Sequence, residues 1–315
     1  MTVRLSGLPK ESAEIAGWLS IPPGASDTLL ILVHGGFYTH AYWDFPYRPQ
    51  TYSCVQWAYE NGWATLNIDR LGCGESSKPP GEWVDMPRNA EVLHQVVQHV
   101  KTAGVGGRRF SRCVLVGHSL GSFTSALMQA TYGGADALVL TGVFGVNANR
   151  IVATREAHEA FLKMCGVTTE GGSADRSAAT SDAQYLTLPD HRRAKKFFCN
   201  PPAEAALIEI DTGLGGTMTR AENRTMALAA DAGARVTVPT LIQVGEFDRT
   251  YYSPDRTPNC AGMYARAIDM APANFTFAEL VVDTGHNLAL HPSARETYRV
   301  MADWLAATLP PESKA

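Results

Sequence analysis

The chain has 315 residues, 45% of them hydrophobic, and a formal net charge of −4. Its length is roughly twice the ~150-residue domain prior, so one large domain with an insertion fits as well as two domains; the apolar content supports a sizeable core. The slightly acidic balance, with no basic stripe, gives no electrostatic footprint for nucleic acid or for an anionic membrane.

In chain order, Leu29 to Val33 is a short, wholly apolar run ending at His34-Gly35-Gly36, the pattern of a parallel strand buried on both faces. Ser53 to Glu60 reads as a helix stopped by Asn61-Gly62, and Ala64 to Ile68 as a second strand leading into Asp69-Arg70-Leu71-Gly72-Cys73-Gly74. Helical spacing of Val92, Val96, Val97 and Val100 marks a helix over 89–100. A third strand, Cys113 to Val116, enters Gly117-His118-Ser119-Leu120-Gly121, and the helix after it places Leu120, Phe123, Leu127 and Ala130 on one face. Ala137 to Leu140 is a fourth strand. From about Val146 to Arg235 no convincing strand is read, only helical pieces at 154–164, 203–210 and 221–230. Strand character returns at Val238 to Val244 and at Leu280 to Val282, and an amphipathic helix spans Ala294 to Leu305. Repeated strand–helix–strand units predict an α/β fold, a mainly parallel central sheet with helices on both faces. The expected division is a core of 1–145 and 236–315 interrupted by a helical lid over 146–235.

Three further readings are negative. The run His191-Arg192-Arg193-Ala194-Lys195-Lys196 is read as a solvated helix face. Six cysteines without a C-x-x-C pair are read as buried free thiols. Met1 to Leu19 has no continuous apolar h-region, and no stretch approaches the ~20 apolar residues of a membrane helix, so a cytoplasmic protein without membrane contact is expected.

Gly117-His118-Ser119-Leu120-Gly121 matches G-x-S-x-G. Alone the match is weak, since from glycine's share of about 7% roughly one chain in ten of this length contains it by chance. Its context gives it weight: a buried strand precedes it and a helix follows, which is what a nucleophile on a strained strand-to-helix turn requires. A hydroxyl needs a base and an orienting acid. Of nine histidines, His286 has the best setting, just after the last predicted strand, whereas His34 is better placed to brace its loop. Asp248, in Gly245-Glu246-Phe247-Asp248 after the strand ending at Val244, is the chosen acid, with Glu246 and Asp283 as the alternatives nearby. The order Ser, Asp, His is that of one serine-triad fold among several.

These motifs together resemble the α/β-hydrolase superfamily over nearly the whole chain: His34-Gly35-Gly36, Asp69-Arg70-x-Gly72-x-Gly74-x-Ser76, the elbow at Ser119, Gly245-x-x-Asp248 and Gly285-His286, all at predicted strand ends. The resemblance implies an oxyanion hole from the backbone N–H of Leu120 and a second N–H from Gly36 or Phe37, and it accounts for a helical lid. Serine at the elbow argues against relatives that use aspartate there. Without H-E-x-x-H, paired metal-ligand spacing or G-x-G-x-x-G, no cofactor and no metal are expected.

The aromatic loop Phe37 to Tyr47 and the pair Tyr251 and Tyr252 point to an apolar or aromatic small-molecule pocket, with Tyr38, Trp43, His118, Tyr251 and Tyr252 as candidate lining residues and Phe161, Met164, Phe197 and Phe198 as lid surface. The leading expectation is hydrolysis of a carboxylic ester or lactone through acyl-Ser119. Thioesterase, amidase and C–C bond hydrolase chemistry run on the same residues, and the fold also hosts ligand receptors and non-hydrolytic cyclases.

Overall fold

The computed structural model describes residues 1–5, 12–148, 151, 152, 154–165, 182–198, 203–250 and 259–309. At the N-terminal end, β1 (Thr2–Arg4) and β2 (Ser12–Glu14) form an antiparallel ribbon, followed by β3 (Gly17–Ser20) and β4 (Thr28–Val33). Next come α1 (Pro49–Tyr52), α2 (Cys54–Glu60), β5 (Ala64–Ile68), α3 (Met86–Thr102), β6 (Arg112–His118), α4 (Leu120–Tyr132) and β7 (Ala137–Thr141). The segment after β7 holds α5 (Arg155–Cys165), β8 (Tyr185–Leu186), α6 (Asp190–Phe197), α7 (Ala205–Gly213), β9 (Met218–Thr219) and α8 (Arg220–Ala232). Then follow β10 (Thr240–Gln243), α9 (Cys260–Met270), β11 (Phe275–Phe277) and α10 (Ala294–Thr308). No helix among the described residues is long and apolar enough to cross a membrane.

Seven strands form the main sheet in the order β11-β10-β7-β6-β4-β5-β3, all parallel except β3 at its edge. Every residue of β4, β5 and β7 is buried, because helices on both sides leave no wet face, and this is why their sequences are apolar runs rather than alternations. Val33 pairs with Gly117, His118 with Thr141, and Thr141 with Gln243. The carboxyl ends of β4, β6, β7 and β10 therefore align, and their loops emerge together at one edge, the usual ligand side of such a sheet.

Besides β1, β2 and β3, which the sequence reading does not anticipate, the structure departs from the expected elements in three places. Beside β10 the sheet takes Phe275–Phe277, and of the expected Leu280–Val282 strand Val281 makes only an isolated bridge to Gly245. Val282 is 66% exposed, so its apolar character reflects no core position. In the segment after β7 a two-residue antiparallel ribbon, β8 with β9, is too short to show a period in sequence. In α4 the deepest side is Gly121, Ser122, Ser125 and Met128, while Phe123 and Ala130 of the expected apolar face are only half-buried.

That last difference has a steric cause. A Cβ on Gly121 would lie 2.1 Å from the Val33 carbonyl oxygen and 2.5 Å from that of His34. The helix thus approaches β4 so closely that only small residues fit, and their hydroxyls are satisfied locally: Ser122 donates to Thr141 O and Ser125 to Gly121 O. Gly121→Ala is expected to lower stability by about 1–3 kcal/mol or more through overpacking. The denaturation midpoint reads it, and an unchanged midpoint would mean that α4 can retreat from the sheet without loss.

Candidate active site

Ser119 stands between β6 and α4 with φ 51° and ψ −115°. A non-glycine residue held at positive φ stores roughly 1–3 kcal/mol of strain, which the surroundings must over-determine. They do so through backbone bonds on both sides, Ser119 N–H to Thr141 O at 2.8 Å and Phe123 N–H to Ser119 O at 3.1 Å. Gly117 is needed for the same turn, since a Cβ there would lie 2.6 Å from the Ser122 Cα.

His286 follows the bridge at Val281 and is 3% exposed. Its Nδ1 lies 2.7 Å from Oδ2 of Asp248, which is itself 1% exposed. The second oxygen of Asp248 accepts from the Thr250 N–H at 2.8 Å and its hydroxyl at 2.6 Å, so the carboxylate cannot swing away. Glu246 and Asp283, the other candidate acids, are exposed, and a Glu246 carboxylate oxygen accepts from the Asp283 N–H at 3.3 Å. Phe197 stacks on the imidazole with ring centroids 5.5 Å apart.

The loop after β4 is clamped by its carbonyls. His34, fully buried, bonds Gly35 O through Nδ1 at 2.8 Å and accepts the Arg70 N–H at Nε2, 3.1 Å away. Burial and the nearby Arg70 charge push its pKa down to about 3, so the ring is neutral and serves as a brace. The Arg70 side chain donates to His34 O at 3.1 Å and to Gly35 O at 3.4 Å, and its charge is met by buried Glu222 of α8. On the other side, Arg193 of α6 donates to Phe37 O at 2.7 Å and pairs with Asp211 of α7 at 2.6 Å; both side chains are 1% exposed. Phe37, at φ 64°, spends its N–H on Thr217 O at 3.2 Å and accepts the Gly216 N–H at 2.9 Å. Of the two residues expected to supply the second oxyanion N–H, Phe37 is therefore already engaged, and Gly36 has no N–H partner among the described residues. The Leu120 N–H, at the first position of α4, is likewise one of the orphan donors of a helix start.

Ser119, His286, Gly36 and Leu120 open into one cavity of about 1010 Å³, walled by Phe123, Val143, Ile151, Phe161, Phe197, Met218 and Met226. Residues 30–299 match the model of the alpha/beta hydrolase family. The chain belongs to the α/β-hydrolase family. No curated protein matches it. Among solved structures, a bromoperoxidase from Bacillus anthracis is 18% identical over 94% of this chain and 96% of its own, with TM-score 0.62. An esterase from Exiguobacterium antarcticum is 15% identical, covering 93% and 95% with TM-score 0.59. The N-acyl homoserine lactonase AidH, in complex with N-hexanoyl homoserine lactone, is 18% identical, covering 95% and 96% with TM-score 0.60. At these identities the likeness is one of fold.

Several expected pocket residues of this α/β-hydrolase lie behind the loop instead. Tyr38 and Trp43 are 3% and 2% exposed and pack with Tyr42 and His118. The positive φ at Phe37 turns the following aromatics inward, where their area stabilises the core. His118 is stacked on Tyr42 at 4.2 Å, and its Nδ1 donates to the Thr141 hydroxyl, which in turn donates a hydrogen bond to Gly117 O. Burial, and then the neighbouring His286, hold its pKa well below the ordinary value, so it is a neutral packing residue. Tyr251 and Tyr252, and the side chain of Met164, lie outside the described residues. Phe161 and Phe197 do line the cavity, whereas Phe198 packs on His291.

Arg193 is the largest correction. Within the basic run His191, Arg192 and Lys195 are exposed as expected, but Arg193 is buried and sits 4.0 Å above the Tyr38 ring. Its spacing four residues before Phe197 was the available signal, because i and i+4 share a helix face. Removing one member of a buried ion pair strands the other, at a cost of about 3–5 kcal/mol, whereas replacing both by apolar residues is often neutral. Arg193→Met is expected to lower the unfolding free energy by that amount, and Arg193→Met with Asp211→Leu to recover most of it. Equal stability of the single variant and the wild type would show that the pair is not a structural tie.

Proposed function

We propose that the chain is a serine hydrolase that cleaves a carboxylic ester or lactone through an acyl-Ser119 intermediate. The observation that carries this reading is the 2.7 Å bond from the His286 imidazole to buried Asp248, in a cavity whose floor is Ser119 on its strained turn. In this reading Ser119 Oγ attacks the carbonyl while His286 Nε2 takes its proton. Asp248 holds Nδ1–H and stabilises the imidazolium. The developing oxyanion accepts from the N–H groups of Leu120 and Gly36. Collapse breaks the C–O bond, and His286 returns the proton to the leaving alkoxide. Water then repeats both steps on the acyl-enzyme and restores Ser119.

Family membership supports hydrolase chemistry, and the esterase and lactonase among the structural neighbours favour an ester or lactone bond. The largely apolar cavity wall suits a medium-sized apolar substrate. Residues 146–235 act in this reading as a cap, since Phe161 of α5, Phe197 of α6 and Met226 of α8 all face the cavity.

Ser119→Ala should lose most turnover of p-nitrophenyl esters, about 10⁶-fold by analogy with a serine protease, with an unchanged melting temperature. Asp248→Asn should cost about 10⁴-fold in kcat, while Asp283→Asn and Glu246→Gln should each cost under about tenfold. Steady-state kinetics of the four variants decide the assignment: a crippled Asp283→Asn beside a mild Asp248→Asn would transfer the acid role, and a Ser119→Ala variant retaining several per cent of turnover would rule out the acyl-enzyme.

A further inference from the structure

The cavity above Ser119 is apolar along its wall but carries two cations, Lys196 of α6 and Arg224 of α8. Neither has a carboxylate partner among the described residues. Lys196 is half-buried with its Nζ 5.9 Å from the Phe161 ring centroid. Arg224 also lines a second hollow of about 610 Å³, which shares Thr154, His158 and Arg224 with the first and adds Arg155 and Arg220. The one carboxylate among the described residues of that hollow, Glu159, is taken by Arg155 at 2.8 Å. His158, hydrogen-bonded to Asn223, adds no charge there: burial, with the Arg224 and Arg220 charges, holds its pKa below the ordinary value.

Arg70 and Arg193, which hold the loop behind the cavity, are paired with Glu222 and Asp211. Among the described residues that line the cavity, the cations left without a carboxylate partner are thus Lys196 and Arg224. Lys196, half-buried beside the apolar wall, interacts with an anion more strongly than a cation in bulk water, and the exposed Arg224 guanidinium presents a fork that matches a carboxylate.

We infer that the substrate carries a carboxylate remote from its scissile carbonyl, held by Lys196 and Arg224 while the apolar segment between spans the Phe161 and Phe197 wall. This rests on the hydrolase reading above and narrows its substrate class to half-esters of dicarboxylic acids or esters of a hydroxy- or phenol-carboxylic acid. The chemistry is unaltered, because the remote carboxylate takes no part in the acyl transfer.

Binding separates this inference from the hydrolase reading, since it needs no turnover. The full chain with Ser119→Ala is titrated by calorimetry with two matched pairs: p-nitrophenyl hydrogen adipate against p-nitrophenyl hexanoate, which puts the charge on the acyl side, and 4-(hexanoyloxy)benzoate against phenyl hexanoate, which puts it on the alcohol side. In at least one pair the carboxylate ester should bind about tenfold more tightly, the scale of a hydrogen bond to a charged group. Adding Lys196→Met and Arg224→Gln should bring that ratio to about one, and in the Ser119→Ala protein alone the ratio should shrink on going from low to high salt. Equal or weaker binding of the carboxylate ester in both pairs, or a preference that survives both the substitutions and the salt, overturns the inference. Failure of wild-type protein to turn over any of the four esters counts against the hydrolase reading and leaves the binding result to decide this one.

Discussion

The backbone carbonyls of His34, Gly35 and Phe37 are each gripped by a buried guanidinium, and the rest of the site is arranged around that grip. Arg70 holds the first two and Arg193 the third. With its carbonyls pinned and the Phe37 N–H spent on Thr217, the loop leaves Gly36 with a donor that no described residue accepts. Fixed dipoles stabilise a developing charge without reorganising at the moment of reaction, which is the physical advantage of holding such a loop rigidly.

Both clamps reach across from the sheet to the segment between β7 and β10. Arg70 leaves the end of β5 and finds Glu222 on α8, whose capping box with Thr219 also fixes that helix start. Arg193 comes from α6 and is neutralised by α7. α8 itself packs on α3 and α4, burying Ala221, Ala229 and Ala230. Two of the helices that wall the cavity, α6 and α8, thereby also secure its floor. Loosening them would disturb the backbone next to Ser119 as well as the space above it.

Sequence pattern revealed the parts of the fold governed by burial on both faces. β4, β5, β6, β7 and β10 are mostly apolar runs because little around them is wet, and Ser119 and Asp248 are legible because they follow such runs, whereas His286 follows Leu280–Val282, an apolar run that makes only one bridge to the sheet. β3 escaped notice because an edge strand with half-buried residues has no such run. Tyr38 and Trp43 were read toward the pocket because sequence gives aromatic content but not the direction set by one positive φ at Phe37. Arg193 was misread for a related reason: a basic run reads as solvated while the carboxylate that neutralises one of its members is unknown, and Asp211 is eighteen positions away. The choice between Gly36 and Phe37 required knowing that Thr217, far along the chain, supplies a carbonyl to one of them.

The claim that the clamped loop leaves Gly36 to meet an oxyanion is tested most directly by the crystal structure of the adduct formed with a fluorophosphonate. Phosphorus bonded to Ser119 Oγ, with the phosphoryl oxygen about 2.7–3.1 Å from both the Gly36 and Leu120 nitrogens and the Arg193 contact to Phe37 intact, is the predicted result. Phosphorus on another side chain, or a phosphoryl oxygen turned away from Gly36 toward a Phe37 N–H released from Thr217, would contradict the account.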